Sequence, residues 1–204
     1  MIKTMLPLAL LAGFAATAPA AAQSPASNDP ASVHPGVYSV DPGHTQVIFS
    51  VSHLGFTTYS GVFSGASGSL ALDPANPAAA TFKITVPIKS VLTTSTKLDG
   101  ELKSPQWLDA AKFPTATFVS SQVVVDGQGK ASVTGDFTLH GVTKPVTLHV
   151  TFVGAGVNPL NKKYTVGFDA TGDILRSDFG VKTYLPLIGD QLHLTIAGAF
   201  DKAE

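Results

Sequence analysis

The chain has 204 residues, no cysteine, 13 basic and 14 acidic side chains, and a formal net charge of −1. The absence of cysteine excludes disulfides and also the acylated cysteine of a bacterial lipoprotein. The balanced charge, with no basic run, argues against nucleic acid as a partner. A hydrophobic content of 44% with 13% charged residues is typical of a folded, sheet-rich protein rather than a disordered one.

Residues 1–22 have the features of an export signal. Lys3 supplies a positive charge, residues 5–18 form an apolar run, and the alanines at 20–22 offer a cleavage site. The run is shorter than the roughly 20 residues of a membrane span. We therefore expect cleavage before Gln23 and a soluble product, which in a bacterium is periplasmic; an uncleaved N-terminal anchor is the alternative.

After the signal, the sequence changes from a linker-like composition to a strand pattern. Residues 23–35 are rich in Ser, Pro and Ala, which predicts a flexible lead-in. Beyond them, apolar and polar side chains alternate, the pattern of strands with one apolar and one wet face. About eight or nine strands are predicted, at residues 36–40, 44–53, 58–72, 80–88, 115–125, 130–139, 145–154, 163–176 and 191–200.

Short turns connect several of these strands. Residues 126–129, Asp-Gly-Gln-Gly, tolerate the positive φ that a hairpin turn requires. Hairpins between successive strands indicate an up-and-down antiparallel sheet, and closure into a barrel removes the exposed edges of such a sheet. The sequence therefore predicts an all-β fold: a single domain over residues 36–204, an antiparallel barrel of about eight strands.

One segment, residues 93–113, lacks alternation and predicts a short helical insert. Ser104 is a good N-cap, Pro105 suits the first helical position, and Pro114 would end the helix after residue 113. Apolar residues that include Trp107 would lie over the barrel or its mouth.

Two polar residues lie at the ends of apolar stripes that should face inward. His53 either meets a backbone partner or contacts the polar end of a ligand. Arg176, the single arginine, shares its face with Ile174, and its planar guanidinium suits a phosphate or carboxylate. The alternative for Arg176 is an ion pair with Asp173 or Asp178.

The residues that catalysis or metal binding needs are not arranged for those functions. The six histidines lack the close spacing of a zinc site, and neither a Gly-x-Ser-x-Gly elbow nor a glycine-rich phosphate loop is present. We expect no metal, no cofactor, and binding rather than catalysis. Two alternatives stay open: an enzyme of lipid or quinone metabolism that uses His53 with a carboxylate, and a solid barrel that serves as an interaction module.

Several separated segments between about Tyr38 and Phe200 follow a common pattern. They are Tyr38-Ser39-Val40-Asp41, His53-Leu54-Gly55-Phe56, Gly61-x-Phe63, Asp99-x-x-Leu102-x-Ser104, residues 107–118, residues 135–146 and Asp178-Phe179-Gly180. In this order they resemble the YceI-like family of exported polyisoprenoid-binding proteins. Family members commonly have His at the position of Glu101, Asp at that of Gln106, and a polar residue at that of Leu92, so the insert departs from the pattern.

The resemblance implies a lipocalin-like barrel whose apolar bore holds an isoprenoid lipid of polyprenyl or quinone type. Such a protein would bind, transport or store its ligand in the periplasm. The candidate ligand-binding residues are Phe49, Val51, His53, Phe56, Phe63, Trp107, Ile174 and Arg176. The sequence leaves a homodimer open.

Overall fold

The computed structural model describes residues 24–203, and the predicted export signal lies outside them. Within this range ten strands and one α-helix are present. They are β1 (Gly36–Val40), β2 (Gln46–His53), β3 (Thr57–Phe63), β4 (Ser67–Leu72), β5 (Thr81–Pro87), α1 (Thr96–Lys103), β6 (Thr115–Gly127), β7 (Lys130–Leu139), β8 (Val142–Val157), β9 (Tyr164–Leu175) and β10 (Ile188–Lys202).

The strands form one antiparallel sheet in the order β1-β4-β5-β6-β7-β8-β9-β10, and β1 also pairs with β10. This pairing closes an eight-stranded barrel, while β2 and β3 extend the sheet beyond β10. The prediction of an antiparallel barrel of about eight strands with a short helical insert is confirmed. No helix in residues 24–203 is long and apolar enough to cross a membrane.

Strand β10 closes the barrel because it is long enough to pair with two strands along the same edge. Its residues 200–202 pair with β1, and its residues 188–197 pair with β2. Between β1 and β2, the buried Thr45 hydroxyl donates to the Ala199 carbonyl (3.2 Å) and accepts from the Ala199 N–H (3.0 Å). β1 and β2 therefore act as two halves of one wall strand.

The single strand predicted over residues 58–72 is wrong, because the structure has two strands here. β3 pairs with β2, whereas β4 pairs with β1 and β5. The chain bends between them at Gly65, which has φ +67°, a conformation that glycine adopts at low cost. Across the bend the inward side chains change from odd positions, such as Phe63, to even positions, such as Ala66 and Leu70. Residues 64–69 are all Ser, Gly or Ala, so the pattern of large apolar residues does not locate this change.

The helix lies within the predicted segment 93–113, but the predicted N-cap at Ser104 is wrong. Helix α1 begins after Ser95, whose side chain accepts from the Leu98 N–H (3.3 Å), and ends at Lys103. Ser104 lies at its C-terminal end, where its N–H donates to the Glu101 carbonyl (3.0 Å). The residues that follow form turns, and Asp109 has φ +44°. Ser95 and Ser104 are equally suitable N-cap residues, and the helix begins after the earlier one, Ser95.

The two ends of the barrel differ. We call the end formed by residues 88–114 and 176–188 the insert end, and the opposite end, formed by residues 24–35 and 158–163, the lead-in end. The segment predicted to be a flexible lead-in contacts the barrel: Ser27 pairs with Ala155, and Val33 is buried in the core cluster of that end. Glycine at Gly156 makes this possible, because a Cβ there would lie 2.4 Å from the Pro25 carbonyl oxygen.

The close approach of β4 and β5 depends on Gly68. An added Cβ would lie 1.9 Å from the Lys83 carbonyl oxygen, and φ is +130°. We expect Gly68→Ala to reduce the free energy of unfolding by more than about 1 kcal/mol. Gly100 is the matched control, because it lies in α1 with nothing within 4 Å of an added Cβ. Gly100→Ala should raise the free energy of unfolding by about 0.5–1 kcal/mol. If urea unfolding shows that both substitutions change the free energy of unfolding in the same direction, this account is contradicted.

Candidate ligand-binding site

The inward faces of the strands enclose an elongated cavity of about 210 Å³. Its wall consists of aliphatic and aromatic side chains that alternate with outward residues along each strand. Among the described residues that line it, Thr45, Thr117 and Arg176 have polar side chains, and Trp107 has a polar indole N–H. The lining strands contribute Val47, Phe49, Phe63, Ile84, Phe137, Val146, Leu148, Ala170, Ile174, Leu192, Leu194 and Ile196, among others. The cavity is therefore an apolar bore.

Three phenyl rings form the floor of the bore toward the lead-in end. Phe82, Phe168 and Phe200 contact one another edge to face, with ring centroids 6.1–6.4 Å apart. Such edge-to-face pairs are a favoured aromatic geometry. Behind them, Tyr38 and Val166 are fully buried, so the bore does not open at this end.

At the insert end, loops rather than strands close the bore. Leu102 and Trp107 of the insert line it together with Val181 of the loop after β9. The two loops meet where Trp107 contacts Tyr184 edge to face (6.0 Å between ring centroids) and where the Thr183 hydroxyl donates to the Gln106 carbonyl. This roof is held by fewer backbone hydrogen bonds than the strand wall, so we expect a ligand to enter at this end.

Arg176 ties this roof to the barrel. Its side chain is 3% exposed and donates to four carbonyl oxygens at 2.8–3.0 Å. The acceptors are Val181, Thr183, Ile188 and Gly189. A guanidinium has five N–H donors, so at most one remains for a ligand.

The alternative of an ion pair with Asp173 or Asp178 also differs from the structure. Within residues 24–203, Arg176 makes no ion pair; Asp173 instead contacts His193 (2.9 Å). Burial lowers the pKa of the Arg176 guanidinium, and the charge of Asp190 opposes that shift. Hydrogen bonds from Ser177 in turn hold the pKa of Asp190 below its ordinary value. Arg176 is thus a buried cation solvated mainly by backbone carbonyls.

The structure brings five of the eight candidate residues to the bore. Phe49 and Phe63 lie side by side on its wall (5.7 Å between ring centroids), and Trp107, Ile174 and Arg176 also line it. Their contact with a ligand stays a prediction.

The remaining candidates, Val51, His53 and Phe56, are not among the residues that line the bore. β2 extends beyond the closed part of the barrel. Residues at the C-terminal end of β2 share a face with Phe49 but therefore lie outside the cavity. Phe56 is 85% exposed at the tip of the β2–β3 hairpin.

The histidines have surroundings that do not favour catalysis. The His53 ring lies beside Tyr59 (6.0 Å between ring centroids), and no carboxylate within the described residues forms an ion pair with it. His149 and His193 are exposed on the outer face, as their alternation predicts. Residues 24–203 contain no group of three or more His, Cys, Asp or Glu side chains that could hold a metal ion.

Sequence reasoning missed the phenyl floor. Strand alternation places Phe168 on the inward face of Ile174 and Phe200 on the face of Leu194, but neither ring is among the candidate ligand-binding residues. Alternation does not show which part of a stripe faces the cavity and which part faces the packed core.

The model of the YceI-like domain matches residues 38–200. The chain belongs to the YceI-like family. It is 40% identical over 154 residues to Protein YceI of Escherichia coli O6:H1, covering 76% of this chain and 80% of that protein. It is also 40% identical over 139 residues to a UPF0312 protein of Pseudomonas savastanoi, covering 68% and 72% of the two chains.

Solved structures of this type share the fold. BcnA of Burkholderia cenocepacia matches with a TM-score of 0.71 at 27% identity, covering 78% of this chain and 98% of that one. The YceI protein of Campylobacter jejuni matches with a TM-score of 0.64 at 28% identity, covering 74% and 90%. A polyisoprenoid binding domain from Saccharophagus degradans, 16% identical, covers 81% and 98% with a TM-score of 0.59 and shows the fold alone.

The role of Arg176 can be tested by removing its guanidinium. Arg176→Met leaves four carbonyl acceptors without their donor, and we expect the free energy of unfolding to fall by at least about 3 kcal/mol. Asp178→Asn is the control, and it should change stability by less than about 0.5 kcal/mol. Urea unfolding measures both variants; a large effect of Asp178→Asn would restore the ion-pair interpretation.

Proposed function

We propose that this protein binds the apolar tail of an isoprenoid lipid inside the bore and transports or stores it without chemical change. The observation that carries the proposal is a continuous bore whose lining is hydrocarbon and aromatic along the barrel. Every buried side-chain N or O atom of the described residues has a hydrogen-bond partner. A guest in the bore therefore meets a surface that is almost entirely apolar.

The energetics of such a site favour a long tail. Each buried CH₂ contributes about 0.8 kcal/mol, so a five-carbon unit contributes roughly 4 kcal/mol. Association costs are on the order of 4–15 kcal/mol, so several units are needed for tight retention. An extended chain also fits an eight-stranded barrel, whose interior is narrow.

The polar part of the ligand is expected at the insert end. The phenyl floor closes the lead-in end, while the insert end has a roof of loops held by the contacts of Trp107 and Thr183. Because Arg176 has at most one free donor, it cannot offer a paired fork to a phosphate. This arrangement is compatible with a neutral head group, as in a quinone or polyprenyl alcohol.

Family membership supports a lipid-binding role rather than catalysis. The fold shared with the polyisoprenoid binding domain of Saccharophagus degradans agrees with this role at the level of architecture. The bore argues against a solid interaction module. The position of His53 outside the lining, with no carboxylate paired to it in the described part of the chain, gives no support to acid–base catalysis.

A bulky residue in the middle of the bore tests the proposal. Ala170 lines the cavity, whereas its neighbour Thr171 is exposed on the outer face. Ala170→Phe fills part of the bore, so the protein should lose long prenyl chains while short ones still bind. Thr171→Phe is the matched control, because it adds the same ring outside and should leave binding unchanged.

Native mass spectrometry with polyprenyl alcohols and quinones of increasing tail length measures this difference. Retention of the longest chains by a folded Ala170→Phe protein would contradict binding in the bore. If quinones and alcohols of equal length bind alike, the tail is the recognised part. A systematic preference for one of them would identify the head group instead.

We also propose that the protein is exported to the periplasm and acts there. The charged start, apolar run and alanine-rich end of residues 1–22 support this proposal. Expression of the full chain in a Gram-negative bacterium should give a periplasmic product that begins at Gln23 by N-terminal sequencing. A full-length product retained in the membrane fraction would favour the uncleaved anchor.

A further inference from the structure

We propose that the insert end carries a docking surface for an anionic phospholipid membrane. The surface consists of Leu54, Phe56, Tyr184 and Leu187, flanked by Lys182, and we call it the mouth patch. It goes beyond the proposed function, because a protein can hold a lipid without touching a bilayer.

The first half of the mouth patch is the tip of the β2–β3 hairpin. Residues 53–56 form a tight turn closed by a hydrogen bond from the Phe56 N–H to the His53 carbonyl (3.0 Å). Leu54 and Gly55 both have positive φ, at 56° and 72°, as a type I′ turn requires. The tip presents Leu54 and Phe56 to solvent, Phe56 at 85% exposure. A turn normally exposes polar residues here.

The second half is the loop before β10. Tyr184 and Leu187 are 62% and 63% exposed. The Leu54 N–H donates to the Leu187 carbonyl (3.0 Å), so hairpin and loop are joined by their backbones. The four apolar residues therefore belong to one region of the surface.

Two of these residues have a conformation that is costly for their side chains. Leu54 has φ 56° and Tyr184 has φ 61°, in the left-handed region that large side chains rarely adopt. Asn or Gly would be less strained at either position. Strain of this kind is found where function requires a particular side chain.

The mouth patch is continuous with the bore. Tyr184 contacts Trp107 edge to face (6.0 Å between ring centroids), and Trp107 lines the cavity. A lipid leaving the bore through the roof would therefore emerge beside the patch. This position suits a surface across which a lipid passes between protein and membrane.

Charge distinguishes the insert end from the lead-in end. The loop segments 88–114 and 176–188 contain five lysines besides the buried Arg176, against four acidic residues, of which Asp99 is buried. Lys182 is exposed and lies two residues before Tyr184. By contrast, segments 24–35, 73–80, 126–129 and 158–163 contain two lysines and three aspartates. Anionic lipid headgroups therefore favour the insert end.

The size and chemistry of the patch favour a membrane over a protein partner. Four side chains of this kind expose on the order of 500 Å², less than the roughly 800 Å² that each partner buries in a standard protein interface. Aromatic and leucine side chains with adjacent lysine are the composition of membrane-interface surfaces.

Vesicle flotation of residues 23–204, which contain every element of the barrel, tests the proposal without added ligand. The probes are vesicles of phosphatidylcholine alone and of phosphatidylcholine mixed with phosphatidylglycerol. The protein should float with the anionic vesicles, and Phe56→Ser or Leu187→Ser should weaken the partition by about tenfold or more. Lys182→Gln should reduce the preference for anionic vesicles.

Leu160→Ser is the matched control, because Leu160 is 90% exposed at the lead-in end and its loss should not change flotation. Failure of the unmodified protein to float with anionic vesicles, or an equal loss in Leu160→Ser, would overturn the proposal. A dimer in sedimentation that Leu187→Ser abolishes, without vesicle binding, would assign the patch to a second copy and also overturn it.

The two proposals can fail separately. Leu187→Ser lies outside the bore lining, so prenyl retention in native mass spectrometry should stay intact while flotation is lost. Retained flotation with no bound prenyl chain would refute the proposed function and leave the mouth patch standing.

Discussion

The pairing of β10 with both β1 and β2 is the constraint on which the rest of the structure depends. Because the sheet is closed, the backbone N–H and C=O groups of the wall find their hydrogen-bond partners in neighbouring strands. Side chains that face inward are therefore not needed as hydrogen-bond partners for the backbone. An apolar interior can then remain partly unfilled. Because the wall needs no polar group inside, the bore can be apolar. Its two ends are then closed by the phenyl floor and by the roof of loops.

Strands cannot close the ends of such a barrel, and different parts of the chain close the two ends in different ways. At the lead-in end, side chains and the segment before β1 fill the opening. At the insert end, Arg176 joins carbonyls of the loop after β9 and of the first residues of β10 to the end of β9. A cation buried in this way costs solvation energy, which four short hydrogen bonds offset. The residue that most resembles a ligand anchor is therefore used to build the roof.

Alternation along the chain predicted the strands, their inward faces and the closed sheet, because these depend on a period that the sequence repeats. Phe49, Phe63 and Ile174 were placed on the bore wall in this way. The bend at Gly65, the N-cap of α1 and the partners of Arg176 could not be predicted. Each depends on contacts between distant segments, and neither a turn glycine nor a single arginine indicates its partner. The extension of β2 beyond the barrel explains why Val51 and His53 leave the cavity.

The closing contact of the wall joins opposite ends of the described chain, since Tyr38 lies opposite Lys202. Contacts with such large sequence separation form slowly, because the entropy of closing the loop is lost before they stabilise the fold. No partial chain that lacks β10 can complete the barrel. The wall of the barrel therefore cannot close until β10, the last of the described strands, is available.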